Sequence, residues 1–362
     1  MTIERNTPSA KFLIIGAGAM GIYMGHVLQN GAADITYLVR PNRVEKLSRP
    51  QLLYSFDDHV LNSFSGFHIL SDPAEIERNF YDFIVVTIDG MALRSAEGQS
   101  LVRTIGEIAR DTLTKVLLGT VGVNLRPGFM RLSGLADDQV FYGVLYTLVF
   151  QADRVRMTPH PPTNASLLAK ADFAHRQHAP IGIFVDDSAA DAAHRFVTLW
   201  EASGRSLCAV QSVVELSTQL PAVFPMFAAC DIMGWPSWKE LCKDRELWEL
   251  TAAATREIQG LSLNGETGMK AQANTTADSL IAMWRWLEEE TLPADLLEFN
   301  RFHHGGKVFE QDMQLLEDCV ELGRLEHKPM TALQQLLERA KTTHYGRVGS
   351  GEATRTPRTV AH

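Results

Sequence analysis

The sequence contains few cysteines, and none of them shows the spacing of metal ligands. Its four cysteines, Cys208, Cys230, Cys242 and Cys319, form no CxxC pair and no Cys/His pattern within 362 residues. A disulfide framework is therefore excluded, and no metal is expected. A reducing, cytoplasmic compartment fits this cysteine usage best.

The chain also lacks an excess of positive charge. Lys and Arg total 34 against 43 Asp and Glu, which gives a formal net charge of −9. Nucleic acids and anionic membrane surfaces attract basic proteins, so neither is expected as a partner. A small molecule, held by local polar groups, is expected instead.

Long apolar runs are absent as well. The best candidate, Leu220 to Met233, contains Asp231 and two prolines and falls short of the roughly 18 apolar residues that a membrane span needs. The first residues carry Glu4 and lead into no leader-length apolar run, so we expect neither a signal peptide nor a membrane anchor.

The first part of the chain alternates short apolar runs with helical patterns. This rhythm is typical of a parallel sheet flanked by helices. The predicted strands are Phe12 to Ile15, Asp34 to Val39, Phe83 to Thr87, Val116 to Leu118, Tyr142 to Phe150 and Ile181 to Val185, with a hairpin or loop over Arg154 to Pro162.

The pattern changes after about Gly204, where long helical segments follow one another. The predicted helices cover Ser212 to Met233, Glu246 to Gln259, Thr275 to Glu290 and Val308 to Leu325. We therefore expect an α/β domain over residues 1–203, an all-helical domain over 204–345, and a disordered tail over 346–362, which is poor in large apolar residues.

A glycine-rich turn follows the first predicted strand. Gly16, Ala17, Gly18, Ala19, Met20 and Gly21 satisfy G-x-G-x-x-G between a buried strand and a helix. In this context the first glycine permits a tight turn, the second lets a pyrophosphate approach the backbone, and the third allows close helix packing. The pattern predicts a dinucleotide site; a glycine-rich turn that binds nothing is the alternative.

The end of the second predicted strand indicates which dinucleotide is bound. Arg40 stands where NAD-binding versions of the motif carry an acid, and Arg43 follows closely. A carboxylate would accept a hydrogen bond from the ribose 2′-hydroxyl, whereas two guanidiniums suit a 2′-phosphate. NADP(H) is the predicted cofactor, unless both arginines are only solvated loop charges.

These motifs resemble the ketopantoate reductase (2-dehydropantoate 2-reductase) family. The resemblance rests on Lys11 to Gly21, Leu38 to Leu47, Phe83 to Ile88 and the Leu118 to Asn124 turn, and it extends to about Leu337. It implies a Rossmann-type domain followed by an all-α domain of the 6-phosphogluconate dehydrogenase C-terminal type. It also implies hydride transfer from NADPH to a small carbonyl in the interdomain cleft, and it is compatible with a homodimer.

The chain departs from the family at its catalytic positions. Gln219 stands where the resemblance places the catalytic lysine, Val223 replaces a substrate-binding asparagine, and Asp89 replaces the lysine after the fourth strand. A glutamine amide can donate a hydrogen bond to a substrate oxygen, but it cannot act as a general acid near neutral pH. The family's Asn-Gly-x-Gly turn here begins at Thr120, which we assign to cofactor binding.

Charged residues have appeared at other family positions. A gapless register counted back from Gly323 places Lys307 at a substrate-contacting glutamate and Asp295 at a substrate-anchoring serine. Lys307 is the first candidate for the group that orients or protonates the substrate. Asp295 would pair with Lys307 or receive an amino group of an imine-type substrate.

Two adjacent histidines precede that lysine. His303 and His304 have ordinary pKa values near neutrality and are further candidates for the proton donor. The alternative is a helix entry whose imidazoles cap backbone groups or face solvent. Together these features predict an NADPH-dependent oxidoreductase acting on a small 2-oxo acid, another carbonyl or an imine; the alternative is a catalytically silent NADP(H)-binding protein of the same fold.

Overall fold

The computed structural model describes residues 9–155 and 157–350 and divides the chain into two compact units. Residues up to Val213 together with Thr291–Asp295 form the first, and Val214–Glu290 with the residues from Leu296 onward form the second. The strands of the first unit are β1 (Lys11–Ile15), β2 (Asp34–Leu38), β3 (Gln51–Ser55), β4 (Leu61–Phe64), β5 (His68–Leu70), β6 (Phe83–Val86), β7 (Lys115–Leu118), β8 (Val140–Leu145), β9 (Leu148–Gln151), β10 (Phe173–Arg176), β11 (Ile181–Asp186) and β12 (Leu207–Gln211). Its helices are α1 (Ala19–Asn30), α2 (Val44–Leu47), α3 (Gly90–Arg94), α4 (Ala96–Ala109), α5 (Leu125–Ser133), α6 (Ala165–Leu168) and α7 (Ala190–Glu201).

The main sheet has eight strands in the order β12-β11-β8-β7-β6-β1-β2-β5. All neighbouring pairs are parallel except β8 and β11, which pair antiparallel. From β1 the chain first builds outward through β2 and β5, and it then returns to the other side with β6, β7 and β8. Such a reversal opens a crevice at the carboxyl ends of the two central strands, here β1 and β6.

Both faces of this sheet are buried. Phe12 and Ile14 face one apolar cluster and Leu13 and Ile15 face another, because successive side chains of a strand point to opposite sides. Helices α1 and α7 supply residues to the first cluster, and α4 supplies residues to the second. The predicted Rossmann-type architecture of the N-terminal part is confirmed.

A second, four-stranded sheet in the order β4-β3-β10-β9 was not predicted. The expected single strand over Tyr142 to Phe150 is in fact β8 and β9, which belong to different sheets. The backbone changes sheet at Tyr146 and Thr147, whose amides both donate to the carbonyl of Gly182.

As far as it is described, up to residue 350, the second unit is helical, as expected. Its helices are α8 (Val213–Ile232), α9 (Trp238–Leu241), α10 (Arg245–Gln259), α11 (Gly265–Asn274), α12 (Ala277–Thr291), α13 (Leu296–Phe302), α14 (Phe309–Leu325) and α15 (Thr331–Ser350). The four helices predicted from the sequence correspond to α8, α10, α12 and α14. Their apolar faces meet around Met226, Trp248 and Trp284.

The unit boundary differs from the expected division after residue 203. Strand β12 pairs with β11, so the first unit continues to Val213. Thr291–Asp295 returns to that unit, where Arg176 Nε donates to the carbonyl of Leu292 at 3.1 Å.

The buried carboxylate of Asp231 organises the end of α8. It accepts hydrogen bonds from Trp235 Nε1 at 3.0 Å and from Arg347 Nη2 at 2.6 Å, and His344 Nδ1 lies 3.2 Å away. Helix α8 is long and apolar enough to pass as a membrane span by composition, but 56% of that window is buried inside the protein, so it is a core helix.

The same contacts correct the prediction of a disordered tail. Residues 346–350 continue helix α15, which the pairing of Arg347 with Asp231 holds against α8. Residues 351–362, the rest of that predicted tail, lie outside the described residues.

Candidate functional site

The glycine-rich turn connects β1 to α1 at the crevice of the main sheet. Gly16 has φ +102°, and a Cβ atom there would lie 2.9 Å from Thr87 Oγ1. That hydroxyl donates to the carbonyls of Ile15 and Gly16 at 2.9 and 3.0 Å, which ties the turn to the end of β6. A Cβ at Gly21 would overlap the carbonyl oxygen of Gly16. The first and third glycines are therefore required by the fold itself.

Gly18 is different, because the fold does not need a glycine there. Its φ of −76° suits any residue, and a Cβ would meet no atom within 4 Å. The residue is exposed and caps the N-terminus of α1, whose first turn contains Ala19 and Met20. The open space at this helix end suits an anion that approaches the backbone amides closely.

Two further observations fit a dinucleotide at this crevice. Thr120, just beyond β7, is 4% exposed, and its buried hydroxyl has no hydrogen-bond partner among the residues that the structure describes. Arg40 follows β2 and is exposed, and Arg43 lies one turn later. Within the described part of the chain, neither guanidinium forms a hydrogen bond or an ion pair, so both are available to a phosphate.

Asp89 has a structural role in this region. Its Oδ1 accepts a hydrogen bond of 2.7 Å from the amide of Ala92 and so caps helix α3. The acidic residue at this position therefore caps a helix next to the crevice.

In the second unit, one side of α8 carries the residues assigned to the substrate. Gln219 is exposed and Val223 is half-buried, and Phe227 continues the same row of residues four apart. The imidazole of His304 stacks on Phe227 with the ring centroids 3.8 Å apart. The helix row and the histidine pair are thus neighbours, as the sequence alone could not establish.

His303 to Lys307 forms a single turn of π-helix between α13 and α14. Such turns are rare and occur frequently at functional sites. The two imidazoles contact each other edge to face, with centroids 4.7 Å apart. Adjacent residues of an α-helix point in different directions, but the widened turn brings both rings together. Gly305 is required here because a Cβ would overlap Trp235 Nε1.

Asp312 completes this cluster and was not predicted. Its Oδ2 lies 2.7 Å from His304 Nδ1, and its side chain is 2% exposed. The other oxygen, Oδ1, is buried and has no hydrogen-bond partner in the described part of the chain. Burial raises the pKa of the Asp312 carboxyl well above its usual range and lowers the pKa of His304 to about 3. Both pKa shifts favour a neutral carboxylic acid beside a neutral imidazole.

His303 and Lys307 occupy different environments within the turn. Burial, with added repulsion from His304 and Lys307, holds the pKa of His303 well below its usual range, so this imidazole is neutral at pH 7. Lys307 itself is exposed. It is not in the desolvated surroundings that would make a lysine an acid near neutrality.

Asp295 lies in the segment that returns to the first unit. Its Oδ2 is 3.2 Å from Nε2 of His160, in the proline-rich loop before α6. No signal in the sequence indicates a role for His160, because a histidine between prolines most often lies at the surface. In the described residues, no group of three or more His, Cys, Asp or Glu side chains could hold a metal ion.

Comparison with known proteins supports the resemblance inferred from the motifs. The family model "Ketopantoate reductase PanE/ApbA" matches residues 12–104, which include the glycine-rich turn and both arginines. The resemblance is confirmed for this segment. No curated protein sequence gives a significant match to the chain.

Solved structures of low sequence identity share the fold over nearly the whole chain. The 2-dehydropantoate 2-reductase of Geobacter metallireducens GS-15 superimposes with a TM-score of 0.63 at 16% identity, covering 92% of this chain and 99% of its own. D-mandelate dehydrogenase with NADH and anilino(oxo)acetate gives 0.61 at 12% identity, covering 93% and 99%. A dimeric ketopantoate reductase from Staphylococcus aureus gives 0.59 at 10% identity, also covering 93% and 99%. The fold is therefore one that oxidoreductases use.

Proposed function

We propose that the protein is an NADPH-dependent reductase of a small carbonyl compound, such as a 2-oxo acid, or of an imine. The observation that carries this proposal is the glycine-rich turn with free space at Gly18, together with two arginines beyond β2 whose guanidiniums have no partner in the described ranges. When bound, NADPH supplies the hydride. Gly16 to Gly21 and Thr120 would hold the dinucleotide, and Arg40 and Arg43 would pair with its 2′-phosphate.

The proton donor that the geometry supports best is the pair of His304 and Asp312. A neutral imidazole that accepts the Asp312 proton at Nδ1 carries its own proton at Nε2. Nε2 forms no hydrogen bond among the described residues, and the His304 side chain is 14% exposed. It can protonate a substrate oxygen or nitrogen while Nδ1 takes the proton of Asp312, which is left as a carboxylate. The pair thus does the work of the family's lysine, which Gln219 cannot do.

The other candidates receive binding roles. Gln219 would donate a hydrogen bond to the substrate, Val223 would line the apolar side of its site, and His303 would support His304. Lys307 would attract an anionic substrate, since it is exposed and charged. Asp295, paired with His160, would accept a cationic group of the substrate.

The first prediction concerns cofactor choice. Arg40→Ala and Arg43→Ala should each weaken NADPH binding by about tenfold or more, because each loses charge-assisted hydrogen bonds worth roughly 1.5–3 kcal/mol. The affinity for NADH should change little, as should both affinities in Arg103→Ala, which removes an exposed arginine from α4. Fluorescence titration of both cofactors measures this. Equal losses for NADH and NADPH would contradict the assignment.

A second prediction separates binding from proton transfer. In a screen of carbonyl and imine compounds with NADPH consumption as the readout, Lys307→Met should raise KM about tenfold with little change in kcat. Asp295→Asn should raise KM only for substrates that carry a cation. Lys270→Met, which removes an exposed lysine from α11, is the matched control. A kcat loss in Lys307→Met would return the proton-donor role to the lysine.

A catalytically silent NADP(H)-binding protein is the second candidate, favoured by Gln219 at the lysine position. It predicts normal NADPH binding and no turnover with any compound of the screen. We further propose that the enzyme acts in the cytoplasm. A homodimer, the state named for the Staphylococcus aureus ketopantoate reductase, is proposed for solution and is testable by light scattering.

A further inference from the structure

The first unit also contains a cavity, and none of the residues that line it belongs to the glycine-rich turn. It has a volume of about 570 Å³ and is bordered by α1, the turn after β3, the end of β10 and the loop before β12. Sites for small organic ligands have volumes of about 300–1,000 Å³. The cavity is therefore of the size that a metabolite occupies.

The floor of the cavity is formed by three buried side chains that carry hydrogen-bonding groups. Tyr23, His26 and His175 are 3%, 5% and 6% exposed. Neither ring nitrogen of His175 has a hydrogen-bond partner in the described structure, although Nδ1 lies 3.7 Å from Asp57 Oδ2. Its ring packs against that of Tyr23 with centroids 4.9 Å apart. A buried imidazole without hydrogen bonds is costly, so a polar ligand that satisfies it would be stabilised there.

The floor is neutral at pH 7. Burial lowers the pKa of both His26 and His175 to about 4, and burial raises the pKa of Tyr23 to about 12. Each neutral imidazole carries one N–H, and Tyr23 carries an O–H, so all three side chains can donate a hydrogen bond.

The charged side chains at the rim of the cavity differ in whether an oppositely charged neighbour neutralises them. Asp57 accepts a hydrogen bond of 2.6 Å from Arg176 and others from the amide of Gln177. Arg205 forms no ion pair within the described residues, and its one side-chain hydrogen bond is a 3.4 Å contact to Asn62 Oδ1. Its positive charge acts on the floor, since it contributes to the lowered pKa of His26 and of His175. Asp58 at the rim has the opposite effect on His175.

We propose that this cavity binds a small organic anion, a carboxylate or a phosphate ester, through the guanidinium of Arg205 and the N–H groups of His175 and His26. The anion would pair with Arg205, which has no carboxylate partner within the described residues, and it would accept a hydrogen bond from His175, whose ring nitrogens have none there. His26 Nε2 lies 3.3 Å from Asn30 Nδ2, so His26 would donate to the anion from Nδ1. This site does not depend on the proposed reductase activity.

The test is calorimetric titration of the full chain, saturated with NADPH, with citrate and with glycerol 3-phosphate. We expect saturable binding of at least one probe at one site, weakened at least about tenfold in Arg205→Gln and unchanged in Arg103→Gln. Binding of citrate alone assigns the site to carboxylates, and binding of glycerol 3-phosphate alone assigns it to phosphate esters. If neither probe binds, or if Arg205→Gln binds as the wild type does, the proposal is wrong.

A second variant tests the buried part of the site. His175→Phe keeps an aromatic ring against Tyr23 but removes both ring nitrogens, so it should fold and bind the probe more weakly than the wild type. NADPH affinity, measured in parallel, should be unchanged in Arg205→Gln and His175→Phe. A failure of NADPH binding in the wild type would overturn the proposed function and leave this test intact, because the titration can be repeated without cofactor.

Discussion

Alanine at position 18 is expected to lower the affinity for NADPH at least about a hundredfold, or roughly 2.7 kcal/mol, without loss of fold stability. The backbone at Gly18 has a conformation that alanine adopts freely, and a Cβ there meets no protein atom. The added methyl group would instead occupy the space through which a pyrophosphate approaches the start of α1. Calorimetric titration and thermal unfolding of the same sample measure the two effects.

Gly21→Ala is the informative comparison for this prediction. Its Cβ would overlap the Gly16 carbonyl, so this variant should lose stability as well as cofactor affinity. If Gly18→Ala bound NADPH as tightly as the wild type, the open space at the helix terminus would not be the cofactor site. Comparing the two variants therefore distinguishes a glycine that the fold requires from one that only cofactor binding requires.

The fold around the candidate dinucleotide site was predictable because its signals are local. A buried strand, a glycine turn and a helix follow one another within Phe12 to Leu28, and the pattern of each element supports the assignment of the next. Arg40 could be assigned to the end of β2 from the position of that strand alone. No contact between distant segments had to be known.

The second sheet was not predictable for the opposite reason. Its strands β3 and β10 pair in parallel although more than a hundred residues separate them, with Leu53 opposite Phe173. Leu61 to Phe64 has polar residues at its centre and shows no clear alternation. The cavity beside this sheet depends on that pairing, so its histidines looked like unrelated residues in the sequence.

The candidate catalytic cluster was predicted only in part. The histidine pair stood out as a polar group, but its partner Asp312 sits in the first turn of α14 among other acids, Glu310 included. Only the π-helical turn brings His304 Nδ1 to Asp312 Oδ2, and a widened turn of this kind has no known sequence spacing. Lys307 was a candidate because of its charge, but its side chain is exposed in the structure.

Substitution of Asp312 by asparagine should reduce kcat by about 10²–10⁴-fold, the usual contribution of a general acid, with the affinity for NADPH unchanged. Asparagine keeps the shape and one hydrogen bond to His304 but has no acidic proton to pass on. His304→Phe should have a similar effect, and the double variant should be no worse than either single one, because the two residues act as a unit. Turnover of the substrate found in the screen is the readout.

The protonation state of Asp312 gives a check that needs no substrate. Since burial raises the pKa of this carboxyl, the wild type should show the infrared C=O band of a protonated acid at neutral pH, and Asp312→Asn should lack it. The active pair is the protonated one, so kcat should fall as the pH rises through the pKa of the pair. Glu310→Gln, an exposed acid of the same helix, should alter neither the band nor kcat. An Asp312→Asn variant with wild-type kcat would remove this pair as the proton source and leave His303 and Lys307 as the remaining candidates.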